Sequence, residues 1–371
     1  MTLSFGNPSL DGLRDTWDAV VVGAGPAGSL AALLLARRGR SVLQVDKARL
    51  PRWKVCGACL GASGVETLRR CGLGETLGSI GARPQRSAEL LWRGRRATAP
   101  LRGMVAVSRR GLDLALAEGA ADAGVCQRFG VLARAAPDGG VTLEGSDGRH
   151  SVRARAIVMA GGLRSGQRST GTRVDPKAWI GLGCTSERSG VSEDGLAMVV
   201  GRRGYLGRVV TEDGALNWAA AVDPDFVRVC GSPGAAMRAI CEEAGSSLCP
   251  PLEGWTGTPG LTRRSPARIG AVYAVGDAAG YIEPITGEGM SWALATAEAA
   301  VPFVDAAIAR GCHHAGWERA HRRLMRWRRA RCRVVSRGLR SAVAMGVVMA
   351  ALQAQSIGQW GVIDRLIGGT A

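Results

Sequence analysis

Little in this 371-residue sequence points to secretion, to a membrane span or to a disulfide framework. Met1 to Trp17 is polar and carries no apolar core, so no signal peptide is expected, and Met1 to Thr16 reads as a loose leader. The longest apolar stretch near the C-terminus, Ala342 to Leu352, is too short to cross a bilayer. Ten cysteines show no paired framework, which makes a reducing cytoplasm the expected compartment. Acidic residues are outnumbered: 31 Asp and Glu against 48 Lys and Arg, mostly arginine, leave a net charge of +17. That balance favours an anionic partner without naming one. What is plentiful is apolar or small. Hydrophobic residues at 46% support a core, and 54 glycines suit a turn-rich α/β protein of one large or two modest domains.

The chain is organised around Asp18 to Asp46, DAVVVGAGPAGSLAALLLARRGRSVLQVD. Ala19 to Val22 is apolar, β-branched and too short for a helix, so it reads as a strand. Gly23-Ala24-Gly25-Pro26-Ala27-Gly28 follows as a glycine turn, then a helical segment to Ala36, closed by Gly39. Ser41 to Val45 is a second strand, and Asp46 ends it. This is a βαβ unit with G-x-G-x-x-G in its required context. Gly23 permits the tight turn, Gly25 lets the backbone approach a diphosphate, and Gly28 allows close helix–strand packing. The diphosphate is expected on the helix N-terminus, and Asp46, about 20 residues on, is placed to accept from a ribose hydroxyl. An ADP moiety is therefore expected here.

Further along, Pro51 breaks regularity, and Gly57 to Gly64 supplies a loop before a helix expected from Gly64 to Cys71. Cys56-x-x-Cys59 has no second pair at zinc-ribbon spacing, so no metal is expected. Two reduced thiols on a buried loop and a single cysteine lining an active site both remain open. Met104 to Ala123 reads as strand, turn and amphipathic helix, with Leu112, Leu114, Leu116 and Ala120 inward and Arg109 just before the helix. Cys126 to Met159 shows period-two runs broken by hairpin signals, and ends in a buried strand that can rejoin the first sheet. Residues 175 to 264 change character. Trp179 to Thr185, Leu196 to Val200 and Leu216 to Val222 suggest an antiparallel sheet, with one helix near Pro233 to Ala244. Ala271 to Val275 is again a short strand, followed by Gly276, Asp277 and a glycine-bearing turn, Pro284 to Met290, that opens an alanine-rich helix. Such a helix start offers amides and partial positive charge to an anion, worth about 0.3–1 kcal/mol.

Taken together, these motifs resemble flavoproteins of the para-hydroxybenzoate hydroxylase fold, close to their geranylgeranyl reductase and aromatic hydroxylase branches. GAGPAG with Asp46, P-R-W-K-V-C-G at 51 to 57, Arg109 with Asp113 and Leu116, and GDAAGYIEPITGEG at 276 to 289 occur in family order. The resemblance implies an α/β fold: a Rossmann-like FAD-binding domain, an inserted antiparallel β-sheet substrate domain and a C-terminal helical region. The expected division is 1–75, 101–165 and 266–310 for FAD, 76–100 and 166–265 for substrate, and 311–371 as a tail. It implies FAD contacts at Gly23, Gly25, Pro26, Ala27, Gly28, Asp46, Lys47, Arg109, Gly276, Asp277, Pro284, Gly287, Glu288, Gly289 and Met290. Cys56, Lys54 and Tyr205 are the candidate catalytic residues.

The departures shape the expected chemistry. Hydroxylases of this fold carry an Asp-Gly motif where this chain reads Ala160-Gly161-Gly162-Leu163-Arg164, and no second glycine fingerprint appears. NAD(P)H is therefore expected to dock weakly or to be replaced by a partner reductase, unless Arg164 or Arg208 holds the donor's phosphates. The reductase motif Y-x-W-x-F-P is replaced by Gly204-Tyr205-Leu206-Gly207-Arg208, and the halogenase motif W-x-W-x-I-P is absent. The leading expectation is an FAD-dependent monooxygenase acting on a hydrophobic, phenolic or polyketide-like small molecule through oxygen bound at the flavin C4a position. The alternatives are reduction of an isoprenoid or enone double bond, then halogenation, and last a non-catalytic flavin-binding protein. In the helical tail from His313, Leu324, Trp327, Val334 and Leu339 fall near one stripe, and ten arginines lie between Arg319 and Arg340. A solvated helix whose arginines snorkel over the core is one reading. Docking to an anionic membrane surface or an acidic carrier protein is the other; nucleic acid is not expected.

Overall fold

The structure is a computed structural model; it describes residues 9–355 apart from 165–170, 188–194, 284, 286 and 314–315. The leader is thus described only from Ser9 and the tail only to Gln355, and Pro284 lies outside the described residues. Thr16–Val22 and Val42–Asp46 run parallel, Ala19 opposite Val42 through Val22 opposite Val45, with α1 (Pro26–Ala36) as the crossover. Pro26 suits the first helical turn because its missing N–H is unpaired there anyway. Leu30, Ala31, Leu33 and Leu35 are all fully buried, so α1 is a central helix and not an amphipathic surface one.

The helices α2 (Ala62–Arg70), α3 (Thr76–Ser79) and α4 (Arg109–Asp122) pack beside it. Arg109 is the first residue of α4 rather than the one before it, and Ser108 caps the helix by accepting from the Gly111 amide at 2.9 Å. Leu112, Leu116 and Ala120 point inward as expected, but Leu114 is only half-buried. Positions two apart on a helix cannot share a face, and the buried place is taken by Asp113. Gly148–Met159 returns to pair parallel with Thr16–Val22, and Val272–Ala274 pairs with its far end. The open edge is extended by Cys126–Phe129.

The second sheet runs Thr256–Gly260, Ile180–Ser186, Leu216–Val222, Gly204–Val210, Gly195–Val200, Arg83–Trp92, Arg95–Ala106 and Cys59–Leu60. It is antiparallel except where Gly195–Val200 lies parallel to Arg83–Trp92, a pairing that local patterning does not reveal. α5 (Pro224–Cys230) and α6 (Pro233–Glu243) follow, and α6 covers one face through Met237, Ile240 and Cys241 against Leu206 and Val222. Strand alternation sends Tyr205 to the other face. The division expected at 100 and 101 falls within the strand Arg95–Ala106.

α7 (Gly289–Arg310) has the length and hydropathy to cross a membrane, yet 61% of its apolar window is buried, against α1 and α2. It is a core helix. α8 (Gly316–Leu339) and α9 (Ala342–Gln355) complete the described chain and meet at a bend of 100°. The stripe expected on α8 is not the buried one. Trp327 and Val334 are exposed, Leu324 and Leu339 are partly buried, and the inner face is Trp317, His321, Met325, Cys332 and Ser336. These step mainly by four residues and include polar side chains, so hydrophobicity alone selects the wrong face.

His321 carries a pH dependence. It is 3% exposed, its ring 5.3 Å from that of Trp317. Burial first, then Arg329 and Arg322, pulls its imidazole from 6.5 down to about 4. The native state holds it neutral while the unfolded chain takes up a proton below 6.5. Its contribution is complete above pH 6.5 and is lost as pH falls toward 4, about 3 kcal/mol in all. Melting temperature followed from pH 7 to pH 4 is expected to fall, and His321→Phe to flatten that part of the profile. An identical slope in the variant would show that His321 does not titrate there.

Candidate functional site

The glycine turn and the strand ends form one wall of a cavity of about 1160 Å³. The three glycines do different work. Gly23 has φ +116°, and a Cβ there would lie 2.5 Å from the Ala160 carbonyl oxygen. A Cβ at Gly28 would lie 1.9 Å from the Gly23 oxygen. Both are required by the chain's own packing. Gly25 has an ordinary φ of −88°, and its Cβ would project toward Arg109 Nη2 at 3.1 Å. Only Gly25 keeps open the space into which α1's N-terminus points, and no side chain caps that terminus.

Asp46 closes this end. Its Oδ2 accepts from the Ala24 amide at 2.7 Å, and its Oδ1 from the Ala48 amide at 2.8 Å and from Arg52 at 2.6 Å. Burial works to raise its pKa, but Arg52 and the two amides outweigh it and hold the carboxyl below the usual range. Three of about four lone-pair sites are taken, leaving room for one hydroxyl. Lys47 lines the cavity beside it.

Arg109 joins Asp113 through two 2.8 Å hydrogen bonds, and Arg52 Nη2 stands 3.5 Å from the same carboxylate. Asp113 is fully buried. Burial disfavours the Arg109 charge, yet Asp113 more than compensates and raises its pKa. The result is a chain of charges, Asp46–Arg52–Asp113–Arg109, that presents two guanidinium groups to the cavity. Arg52, whose Nε is buried without a hydrogen-bond partner, escaped sequence reasoning; its only signal was its place in the P-R-W-K loop.

At the other end, Gly276 (φ +57°) and Asp277 form a 3₁₀ turn, fixed by the Gly276 amide donating to Thr296 Oγ1 at 2.8 Å. Burial raises the Asp277 pKa, opposed by Lys54, Arg109 and Arg263. Gly287, Gly289 and Met290 line the cavity where α7 begins. Glu288 occupies the N-cap position, but its side chain pairs with Arg331 of α8 and does not cap the helix. Arg329 donates to the Ala279 carbonyl at 3.0 Å, and Arg340 pairs with Glu283 and covers the Trp179 ring at 3.9 Å. These three arginines hold the 279–288 turn from outside. Each is tied to a protein partner, and nothing local distinguished them among ten.

The loop Arg52 to Gly57 lies between the two ends. Lys54 is half-buried, its pKa lowered by burial and Arg109 against the pull of Asp277 and Asp113. A Cβ at Gly162 would come 3.0 Å from its Nζ, so Lys54 stands beside the Gly161–Gly162 turn. Asn217 donates to the Cys56 carbonyl at 2.9 Å and ties the loop to the second sheet. Both thiols are free, but they differ. Both line the cavity, but Cys56 is half-buried, whereas Cys59 is buried in a strand, its thiol pushed up to about 12 mainly by burial. Cys56→Ser is therefore expected to change turnover while FAD content and melting temperature stay constant. Cys59→Ser is expected to cost about 1–3 kcal/mol of stability with little direct effect on chemistry. Equal loss of turnover in both would indicate a redox pair instead.

Beyond the loop the cavity becomes an apolar chamber. Leu101, Met104, Leu196, Met198 and Leu261 form walls, and Val335, Leu339, Met345 and Leu352 of α8 and α9 close the far side. Tyr205 also lines it; burial, then Glu283 and Tyr281, pushes its phenol well above the ordinary value. Among the described residues no group of His, Cys, Asp or Glu is arranged to hold a metal ion.

The cradle fits a dinucleotide cofactor: a Cβ at Gly25 would fill it, Arg52 and Arg109 line it, and uncapped helix starts stand at both ends. Comparison with known proteins agrees. A family model described as an FAD binding domain matches residues 16–178. Menaquinone reductase of Mycobacterium tuberculosis is 30% identical over 324 residues, 78% of this chain and 77% of that protein. Digeranylgeranylglycerophospholipid reductase 1 of Methanopyrus kandleri is 29% identical over 330 residues, 75% and 77% of the two chains. A flavoprotein/dehydrogenase structure from Cytophaga hutchinsonii superposes with a TM-score of 0.79 over 95% of this chain and 93% of its own, at 20% identity, which speaks for the fold alone.

Proposed function

The chain belongs to the FAD-binding flavoprotein family with the para-hydroxybenzoate hydroxylase fold, and on that premise we propose that it reduces a double bond in a long lipophilic substrate of isoprenoid or quinone character. The observation that carries this is the chamber. Its lining continues from the Asp46 and Asp277 ends past Tyr205 to α8 and α9 and is mostly apolar there, which suits a lipophilic substrate. The two reductases that match over three quarters of both chains support the same reading.

FAD, when bound, supplies a two-electron carrier that can give up a hydride. Gly25's empty space, Arg109, Asp46, Asp277 and the start of α7 would hold it. Saturating a double bond takes one hydride and one proton, and the proton comes from the chain. Cys56 lines the cavity on the loop between the Asp46 and Asp277 ends, beside Arg109 in the same lining, and its side chain is the proton-bearing group we assign. Tyr205, kept protonated by burial, orients the substrate's polar end. The second sheet walls one side of the chamber with apolar side chains, which keeps that side dry.

Oxygen insertion is the second reading, favoured by that same apolar wall. One experiment separates them. Reduced holoenzyme is mixed without oxygen with a polyprenyl quinone, and the product is weighed. Gain of two hydrogens that persists after the quinol is reoxidised in air, with flavin reoxidation, is expected; a gain lost on air oxidation, or reoxidation only in air with gain of one oxygen in a phenol, would overturn the double-bond reading. NADPH alone is expected to reduce the flavin slowly and dithionite quickly, since Gly161 offers no carboxylate to orient the nicotinamide donor. Fast saturable reduction by NADPH would assign the donor's phosphates to Arg164, which lines the cavity.

A further inference from the structure

The outer face of α9 is apolar where a soluble helix is normally polar. Val343 is 79% and Val347 66% exposed, and no charged residue occurs between Ala342 and Gln355. The outer face of α8 beside it is basic. Arg319, Arg326 and Arg333 recur every seven residues on one exposed side, joined by Arg323 and Arg337. Among the described residues none of these five has a carboxylate partner; the one acid of α8, Glu318, is paired with Arg268. Trp327 is 72% exposed among them, with Arg326 stacked 5.0 Å from its ring. A third observation locates the chamber's mouth. Val334 and Val348, 66% and 44% exposed, also line the cavity, so the chamber reaches the surface at this elbow.

We propose that the α8–α9 elbow docks on an anionic lipid bilayer, with α9 and Trp327 in the headgroup boundary and the α8 arginines on lipid phosphates, so that substrate enters the chamber directly from the membrane. An apolar face rimmed by arginine is the composition of an interfacial helix. An acidic protein would satisfy the arginines but leaves the bare valines of α9 unexplained. The docking stands on α8 and α9 alone; the entry route rests on the lipophilic-substrate reading.

The test uses FAD-loaded protein and phosphatidylcholine vesicles with or without phosphatidylglycerol. Binding is expected to the anionic vesicles, to be weak on neutral ones and to be released by salt. Arg326→Gln with Arg333→Gln is expected to weaken binding about 30-fold, about fivefold per arginine, with FAD content unchanged. Val347→Asn is expected to weaken binding at low salt without changing its salt dependence, since it removes apolar contact and leaves the charge unaltered. Equal binding to neutral vesicles, no binding at all, or arginine variants that bind normally would overturn the proposal. So would variants that lose an acidic carrier protein while keeping vesicles. Because no substrate is present, failure of double-bond reduction leaves this result readable by itself.

Discussion

Replacing Arg109 with methionine is expected to cost about 3–5 kcal/mol of folding stability and most of the affinity for FAD. The reason lies in Asp113, which is fully buried and takes both its 2.8 Å hydrogen bonds from Arg109. With Arg109 gone, Arg52 at 3.5 Å and the Lys54 charge are what remains, among the described residues, to offset a carboxylate that has no exposure. The double variant Arg109→Met with Asp113→Leu separates the two effects. Removing both charges is expected to restore most of the stability, because a buried ion pair exchanged for apolar side chains is often neutral. It is not expected to restore FAD, because the guanidinium that faces Gly25 is still missing. Denaturant midpoints and flavin content check the pair. If the double variant recovers both, Arg109 serves the fold and not the cofactor.

The second large effect divides the glycines. Gly28→Val is expected to yield no folded protein, since its Cβ would sit 1.9 Å from a backbone oxygen that cannot move without breaking the βαβ unit. The cost exceeds the 1–3 kcal/mol or so typical of an overpacked core. Gly25→Val is expected to fold with a near-normal melting temperature and to be colourless. Its φ is open to any residue, and the nearest obstacle is the end of a long side chain, but the valine methyls occupy the diphosphate's space. A yellow Gly25→Val protein with full flavin content would remove the cradle from the site.

The parts legible in the sequence are those whose cause is local. A positive φ at Gly23, close helix–strand approach at Gly28 and a turn at Gly276 each demand glycine at one position, and the flanking strands are short apolar runs. The βαβ unit, the return of Ala156 to Met159 to the first sheet and the approach of Asp277 to the cavity followed from that pattern. Composition added the basic balance, though not its purpose. What tertiary structure decided was which of many similar residues meet. Arg331 reaches Glu288 across 43 positions and Arg340, just past the end of α8, reaches Glu283 across 57, which makes α8 and its C-terminal end the outer support of the turn before α7. No local rule distinguishes those arginines from Arg326 or Arg333, which face outward. The chamber's far wall has the same origin. Met345 and Leu352 become lining only because the 100° bend after Leu339 lays α9 against the second sheet, and a bend between two helices is set by packing rather than by the residues that flank it.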